Sequence, residues 1–135
     1  MSKDLEALLR THCAPLTLYG FFVIPIVGIQ HAKGSESLKY GTWAKAAREP
    51  DNPYDANAIR VDTVDGLKIG YVPRQHAKTI KRVFDDLEGI QVECMILDTP
   101  DTYEVKSVFC FYGEEAKQES LRTQLQNTVY GLRQL

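Results

Sequence analysis

Apolar and polar positions change period several times along this chain, and each change marks an element. Residues 2–10 repeat at helical spacing with Leu5, Leu8 and Leu9 on one side, predicting a short N-terminal helix. From Leu16 to Gln30 runs a long apolar stretch broken by Gly20 and Pro25, which predicts two strand segments joined by a bulge or bend. Residues 39–48 read as a strand, although Ala44-Lys45-Ala46-Ala47 would also tolerate a helix. Residues 58–62 alternate, Asp65-Gly66 is a turn signal, and residues 67–72 return, predicting a type I′ hairpin. Pro73 cannot continue a central strand. The chain then turns into an amphipathic helix with Ala77, Ile80, Val83, Phe84 and Leu87 on one face. Residues 90–97 and 103–112 are two further strands around the turn-rich 98–102 segment. Beyond Gly113, Leu121, Leu125, Val129, Leu132 and Leu135 recur at helical spacing to the end.

Six or seven strands with one intervening helix fit a closed barrel better than an open sheet, because closure removes exposed edges. The expected architecture is mainly β with peripheral helices. It divides into a helix and lead-in over 1–16, a barrel over 17–113 and a C-terminal helix over 114–135. That last helix either packs on the barrel or offers a seam to a second copy or another protein, and its pattern fits both.

The turn at residues 48–57 carries the strongest chemical signal. Pro50 and Pro53 fix φ, and Asp51 and Asn52 can hydrogen-bond their own backbone, so Tyr54 and Asp55 are presented on a stiff support. Taken alone, the turn is as consistent with an ordinary bend as with a binding loop.

The stretch REPDNPYDANAIRV, the Asp-Gly hairpin and then GYVPRQHAK resemble the HIRAN domain, a module found at the front of certain fork-remodelling ATPases and also alone. The similarity covers roughly residues 17–113, with 18–20 and 26–29 fitting its first strand and 111–113 its last. It implies a small OB-like barrel, closed or partly open, that captures the 3′-hydroxyl end of single-stranded DNA. By that resemblance Tyr54 stacks on the terminal base, Asp55 accepts the hydrogen bond of the 3′-hydroxyl, and Asn52 contacts backbone or sugar. Arg74 matches the family's phosphate-holding cation, Tyr71 falls at another polar ring position, and Tyr103 fits an aromatic place at the rim. Where end-binding relatives carry an arginine and two tyrosines, this chain reads Gln30-His31-Ala32 and then Lys33. The expected second stacking ring is thereby reduced to the imidazole of His31, with Lys33 as a displaced cation.

Charge adds a direction to this picture. The net charge is −2. Residues 1–84 carry 12 Lys/Arg against 8 Asp/Glu, or +4, and residues 85–135 carry 4 against 10, or −6. Within 67–82 five basic residues, Lys68, Arg74, Lys78, Lys81 and Arg82, meet no acidic one. That cluster is either a phosphate-facing patch, with Lys78 beside Arg74, or a solvated helix face.

Several classes are excluded as expectations. No apolar run reaches the roughly 20 residues of a membrane span, and the first residues lack the apolar core of a signal peptide. An intracellular location follows, nuclear in a eukaryote and cytoplasmic otherwise. Cys13, Cys94 and Cys110 are odd in number and lack metal-ligand spacing, so they read as reduced and mostly buried, with no metal site and no cofactor. No phosphate loop or nucleophile–base pair is visible, which points away from an enzyme. Asp98 and Asp101 read as turn residues.

Overall fold

The computed structural model describes residues 3–120, 122 and 123. Helix α1 spans Lys3–Thr11, followed by strand β1, Thr17–Val27. Two short 3-10 turns, Ile29–His31 and Lys33–Ser37, lead to β2, Trp43–Arg48. Strands β3, Ile59–Thr63, and β4, Lys68–Tyr71, precede helix α2, Arg74–Asp86. Strands β5, Gln91–Ile96, and β6, Glu104–Gly113, complete the set. The strands form a closed antiparallel barrel in the order β1-β4-β3-β2-β5-β6, as the strand count predicts. After Lys117 the described residues 118–120, 122 and 123 are helical, and the leucines at 121, 125, 132 and 135 lie outside the described residues, as does Val129.

Alternation along the strands divides their side chains between two cores. Phe22, Ile24, Ile26, Cys94, Ile96, Phe109 and Phe111 point inward to a core closed by Ala77, Ile80 and Val83 of α2 and by Leu87 just after it. Leu18, Phe21, Met95, Val108, Cys110 and Tyr112 face the other way and are covered by Leu9, with Leu5, Cys13 and Trp43 packed against them. Buried on both faces, β6 therefore shows an unbroken apolar run instead of alternation. The Tyr112 hydroxyl donates to the Leu9 carbonyl at 2.6 Å, fastening α1 over this second core.

The first apolar run is one strand. Its irregularity is a β-bulge between Leu18 and Gly20, and Pro25 stays in register opposite Lys106. β1 meets β4 only at Val27 opposite Tyr71, so along Pro25 it has a ladder on one side alone and tolerates a residue without an N–H. The β3–β4 hairpin also departs from expectation. Only Gly66 in its turn has positive φ, at 90°, whereas a type I′ turn requires it at both central residues. The Gly66 N–H donates to the Thr63 carbonyl at 2.9 Å and the Thr63 N–H to the Leu67 carbonyl at 2.8 Å, making a three-residue loop. A register shift between Val61 and Asp62 absorbs the extra residue.

All three cysteines are free. Burial and the neighbouring Glu93 push the Cys13 thiol up to about 12. Burial likewise raises Cys110 to about 12, against a lowering hydrogen bond from Tyr112.

The barrel closes where Gly70 passes β1. A Cβ there would overlap the Val27 carbonyl oxygen and come within 3.0 Å of methyl groups of Ile26 and Ile29. Gly70→Ala is therefore expected to destabilise the fold by about 3 kcal/mol in urea titrations. Gly66→Ala, strained in φ but with open space around its Cβ, should cost only about 1 kcal/mol.

Candidate functional site

The turn between β2 and β3 is held by its own side chains. The Asn52 side-chain oxygen accepts from the Tyr54 N–H at 2.9 Å and the Asp55 N–H at 3.1 Å. The Asn52 amide nitrogen donates to Glu49 Oε1 at 2.8 Å. Two donors on one side and a carboxylate on the other fix the orientation of that amide. Asp55 Oδ1 accepts from the Asn57 N–H at 2.9 Å, and the Ala58 N–H returns to the Asp55 carbonyl at 3.1 Å. The prolines thus stiffen φ while Asn52 and Asp55 satisfy the bent backbone.

Glu49 joins this turn to the barrel. Its Oε1 also accepts from the Tyr71 hydroxyl of β4 at 2.7 Å, and its Oε2 lies 3.7 Å from the Arg60 guanidinium of β3. Burial raises its pKa, but hydrogen bonds from Tyr71 and Asn52, with the charges of Arg60 and Lys68, hold it below the ordinary 4.5. Lys68 sits over the Tyr71 ring at 4.6 Å from its centroid, fixing the ring's other side.

Arg74, the first residue of α2, reaches back and donates from Nη2 to the Tyr54 carbonyl at 3.1 Å. A pocket of about 230 Å³ results, lined by Val27, Asn52, Tyr54, Asp55, Ala58, Tyr71, Val72 and Arg74. Tyr54, one of the lining residues, is 84% exposed. A free aromatic face, a carboxylate and a guanidinium thus converge on one small concavity. Such a set can stack on a planar ring, accept from a hydroxyl and neutralise an anion. Helix α2 adds to the last capacity, because its first turn has no acidic residue and no side-chain cap.

Five residues singled out in the sequence, Asn52, Tyr54, Asp55, Tyr71 and Arg74, are therefore brought together. Of the other five, Gln30, Lys33, Lys78 and Tyr103 are not among its lining residues. Gln30 and Lys33 are exposed on the two 3-10 turns that follow Gly28, and His31 ends the first of these turns. Tyr103 is exposed, and its carbonyl accepts from the Ile29 N–H at 3.5 Å, so it abuts the same segment. Lys78 is exposed one turn along α2 from Arg74. Of the basic cluster, Lys81 is engaged by Asp85 at 3.3 Å, and Asp85 also pairs with Arg48. Glu49 was not anticipated from the sequence. Its signal was its place three residues before Asn52, a spacing that brings two side chains of a turn together.

The family model described as the HIRAN domain matches residues 19–114. Mouse helicase-like transcription factor is 29% identical over 118 residues, which is 87% of this chain and 12% of the mouse protein. The chain thus spans about an eighth of that relative's length. The crystal structure of the HIRAN domain of human HLTF superposes with a TM-score of 0.71 at 24% identity, covering 85% of this chain and 93% of that one. An NMR structure of the HLTF HIRAN domain in its DNA-bound conformation gives 0.64 at 23% identity, covering 84% and 92%. These superpositions establish a shared fold.

The Glu49 hub has a defined pH signature. A carboxylate whose folded pKa lies below its ordinary value stabilises the fold fully above 4.5 and loses that contribution as the pH falls through the folded pKa. Glu49→Gln should therefore destabilise by about 1 kcal/mol at neutral pH. The deficit should shrink as unfolding is measured from neutrality down to about pH 3.

Proposed function

The chain belongs to the HIRAN family, and on that premise we propose that it is a non-enzymatic module that binds single-stranded DNA and prefers a free 3′-hydroxyl end. The observation that carries this reading is the convergence of the Tyr54 ring, the Asp55 carboxylate and the Arg74 guanidinium on one pocket. A HIRAN domain of similar fold has a DNA-bound conformation, which supports nucleic acid as the ligand class.

Each group then has one task. Tyr54 offers its exposed face to the terminal base, a contact worth roughly 1–3 kcal/mol. Arg74 is anchored by the Tyr54 carbonyl with one nitrogen, so its remaining N–H groups are directed and available for a phosphate. Asp55 Oδ1 is occupied by the Asn57 N–H, and Oδ2 is the oxygen offered to a terminal hydroxyl. End selectivity follows from charge. A 3′-phosphate or a continuing strand would place a negative group against the carboxylate, whereas a hydroxyl donates to it. Lys78 and Lys33 extend the positive surface to either side, with Gln30, His31 and Tyr103 at the rim.

The role fits DNA repair or replication-fork processing in an intracellular setting. Among the described residues no helix is long and apolar enough to cross a membrane.

Fluorescence polarisation with matched oligonucleotides tests the reading. An oligonucleotide ending in a 3′-hydroxyl should bind about 10–100-fold more tightly than its 3′-phosphate twin. Asp55→Asn, which keeps an oxygen for Asn57, should bring the two close together, while Tyr54→Ala should weaken both by roughly 5–100-fold. Equal binding of the twins to the unaltered chain refutes end recognition. Absence of binding to either at low salt refutes the DNA reading itself.

A further inference from the structure

A second cluster of chemically active side chains lies apart from the Tyr54 pocket, and none of its members lines that pocket. His12 and Cys13, leaving the end of α1, both turn onto Glu93 of β5. His12 Nε2 is 2.7 Å from Glu93 Oε1, and Cys13 Sγ donates to Glu93 Oε2 at 3.1 Å. The imidazole nitrogen, the sulfur and the carboxylate all lie within 4.8 Å of one another. The Gln91 amide closes the ring, donating to Glu93 Oε2 and lying 3.7 Å from Cys13 Sγ. The plane of His12 is set by stacking on Trp43, with centroids 3.3 Å apart and rings 2° from parallel.

Glu93 is 7% exposed. Among the described residues its one ion-pair partner is His12, and no lysine or arginine reaches it. Among the described residues this buried carboxyl group is met by the side chains of His12, Cys13 and Gln91. Those groups are the nitrogen and sulfur donors that a borderline divalent cation prefers, and a carboxylate completes the preferred set.

We propose that His12, Cys13 and Glu93 form a binding site for a single Zn²⁺ ion. The fourth position of a tetrahedron falls to water or, after half a turn of its amide, to the side-chain oxygen of Gln91. On coordination the Cys13 thiol releases its proton to solvent, and the thiolate and carboxylate together balance the two positive charges of the ion. The donors need to close from hydrogen-bonding separations to ligand distances of about 2.0–2.3 Å, a movement the loop after α1 can supply. The ion would tie the segment around α1, which precedes the matched family region, to the barrel wall. Its consequence is stability of the α1 cover over the second core. The proposal is independent of the DNA reading.

The test uses the 135-residue chain, stripped with a chelator, kept reduced with a phosphine and titrated with zinc chloride or cobalt chloride. One equivalent of zinc should bind. At about 100 times its dissociation constant zinc should raise the thermal midpoint by about 10 °C. Cobalt should give a thiolate-to-metal charge-transfer band in the near ultraviolet that Cys13→Ala abolishes, and Glu93→Gln should weaken zinc binding by at least about 10–100-fold. Should these variants fold poorly, the unaltered chain still reports: Cys94 and Cys110 are buried, so zinc should slow alkylation at Cys13. No zinc-dependent midpoint shift, a charge-transfer band that survives Cys13→Ala, or alkylation indifferent to zinc each overturns the site.

Discussion

One backbone approach organises this molecule: β1 and β4 meet at a single register pair, Val27 opposite Tyr71, and the barrel is closed through it. The approach is possible because Gly70, next in the chain, presents no side chain to the Val27 carbonyl. Val27 and Tyr71 both line the pocket, so the event that closes the barrel also builds one wall of the site. Gly28, with φ of 70°, directs the chain away immediately afterwards and leaves that wall open to the turn at 49–58. A barrel joined there by a long ladder would bury this corner. The short junction leaves a concavity whose floor is rigid.

Rigidity of the facing turn comes from hydrogen bonding as well as from proline. Pro50 and Pro53 restrict φ, but the Asn52 side chain replaces two lost backbone partners and the Glu49 carboxylate fastens Asn52 to Tyr71 across the hairpin. A residue that is 84% exposed would ordinarily gain nothing from such support. For a ligand that stacks on Tyr54, the support removes ordering cost from the binding step, because the turn is already in place.

The barrel was legible because apolar runs bounded by turn signals mark its strands and because Pro73 and the face of α2 mark the crossover. Four features were hidden for separate reasons. An Asp-Gly pair signals a turn but does not determine its length, and the register shift at Val61 selected the three-residue loop. Pro25 suggested a break because propensity describes a fully paired strand, whereas β1 has one free side there. Glu49 reads as an exposed charge until the fold sets Tyr71 against it. The His12, Cys13 and Glu93 cluster is formed by residues about 80 positions apart in sequence, so no local spacing announces it. In the site itself the contiguous part was readable, since Asn52, Tyr54 and Asp55 share one turn. Gln30, His31 and Lys33 sit on the two 3-10 turns that follow β1, and the fold does not bring Gln30 or Lys33 into the lining of the pocket.

Charge distribution explains how a chain of net −2 keeps a cationic site. Acidic groups near the basic cluster are consumed internally: Asp85 holds Arg48 and Lys81, and Glu49 is occupied by Tyr71, Asn52 and Arg60. What is left toward the pocket is Arg74 at the uncapped start of α2, with Lys78 exposed one turn on. Among the described residues that line the pocket Asp55 alone carries a carboxylate, and the same turn that displays Tyr54 displays it. A site built only for phosphates would gain by losing this carboxylate. Its presence beside a guanidinium suits a ligand with two different ends, one anionic and one a hydrogen-bond donor, and that pairing is the physical basis on which we propose a nucleic-acid strand at its 3′ terminus as the ligand.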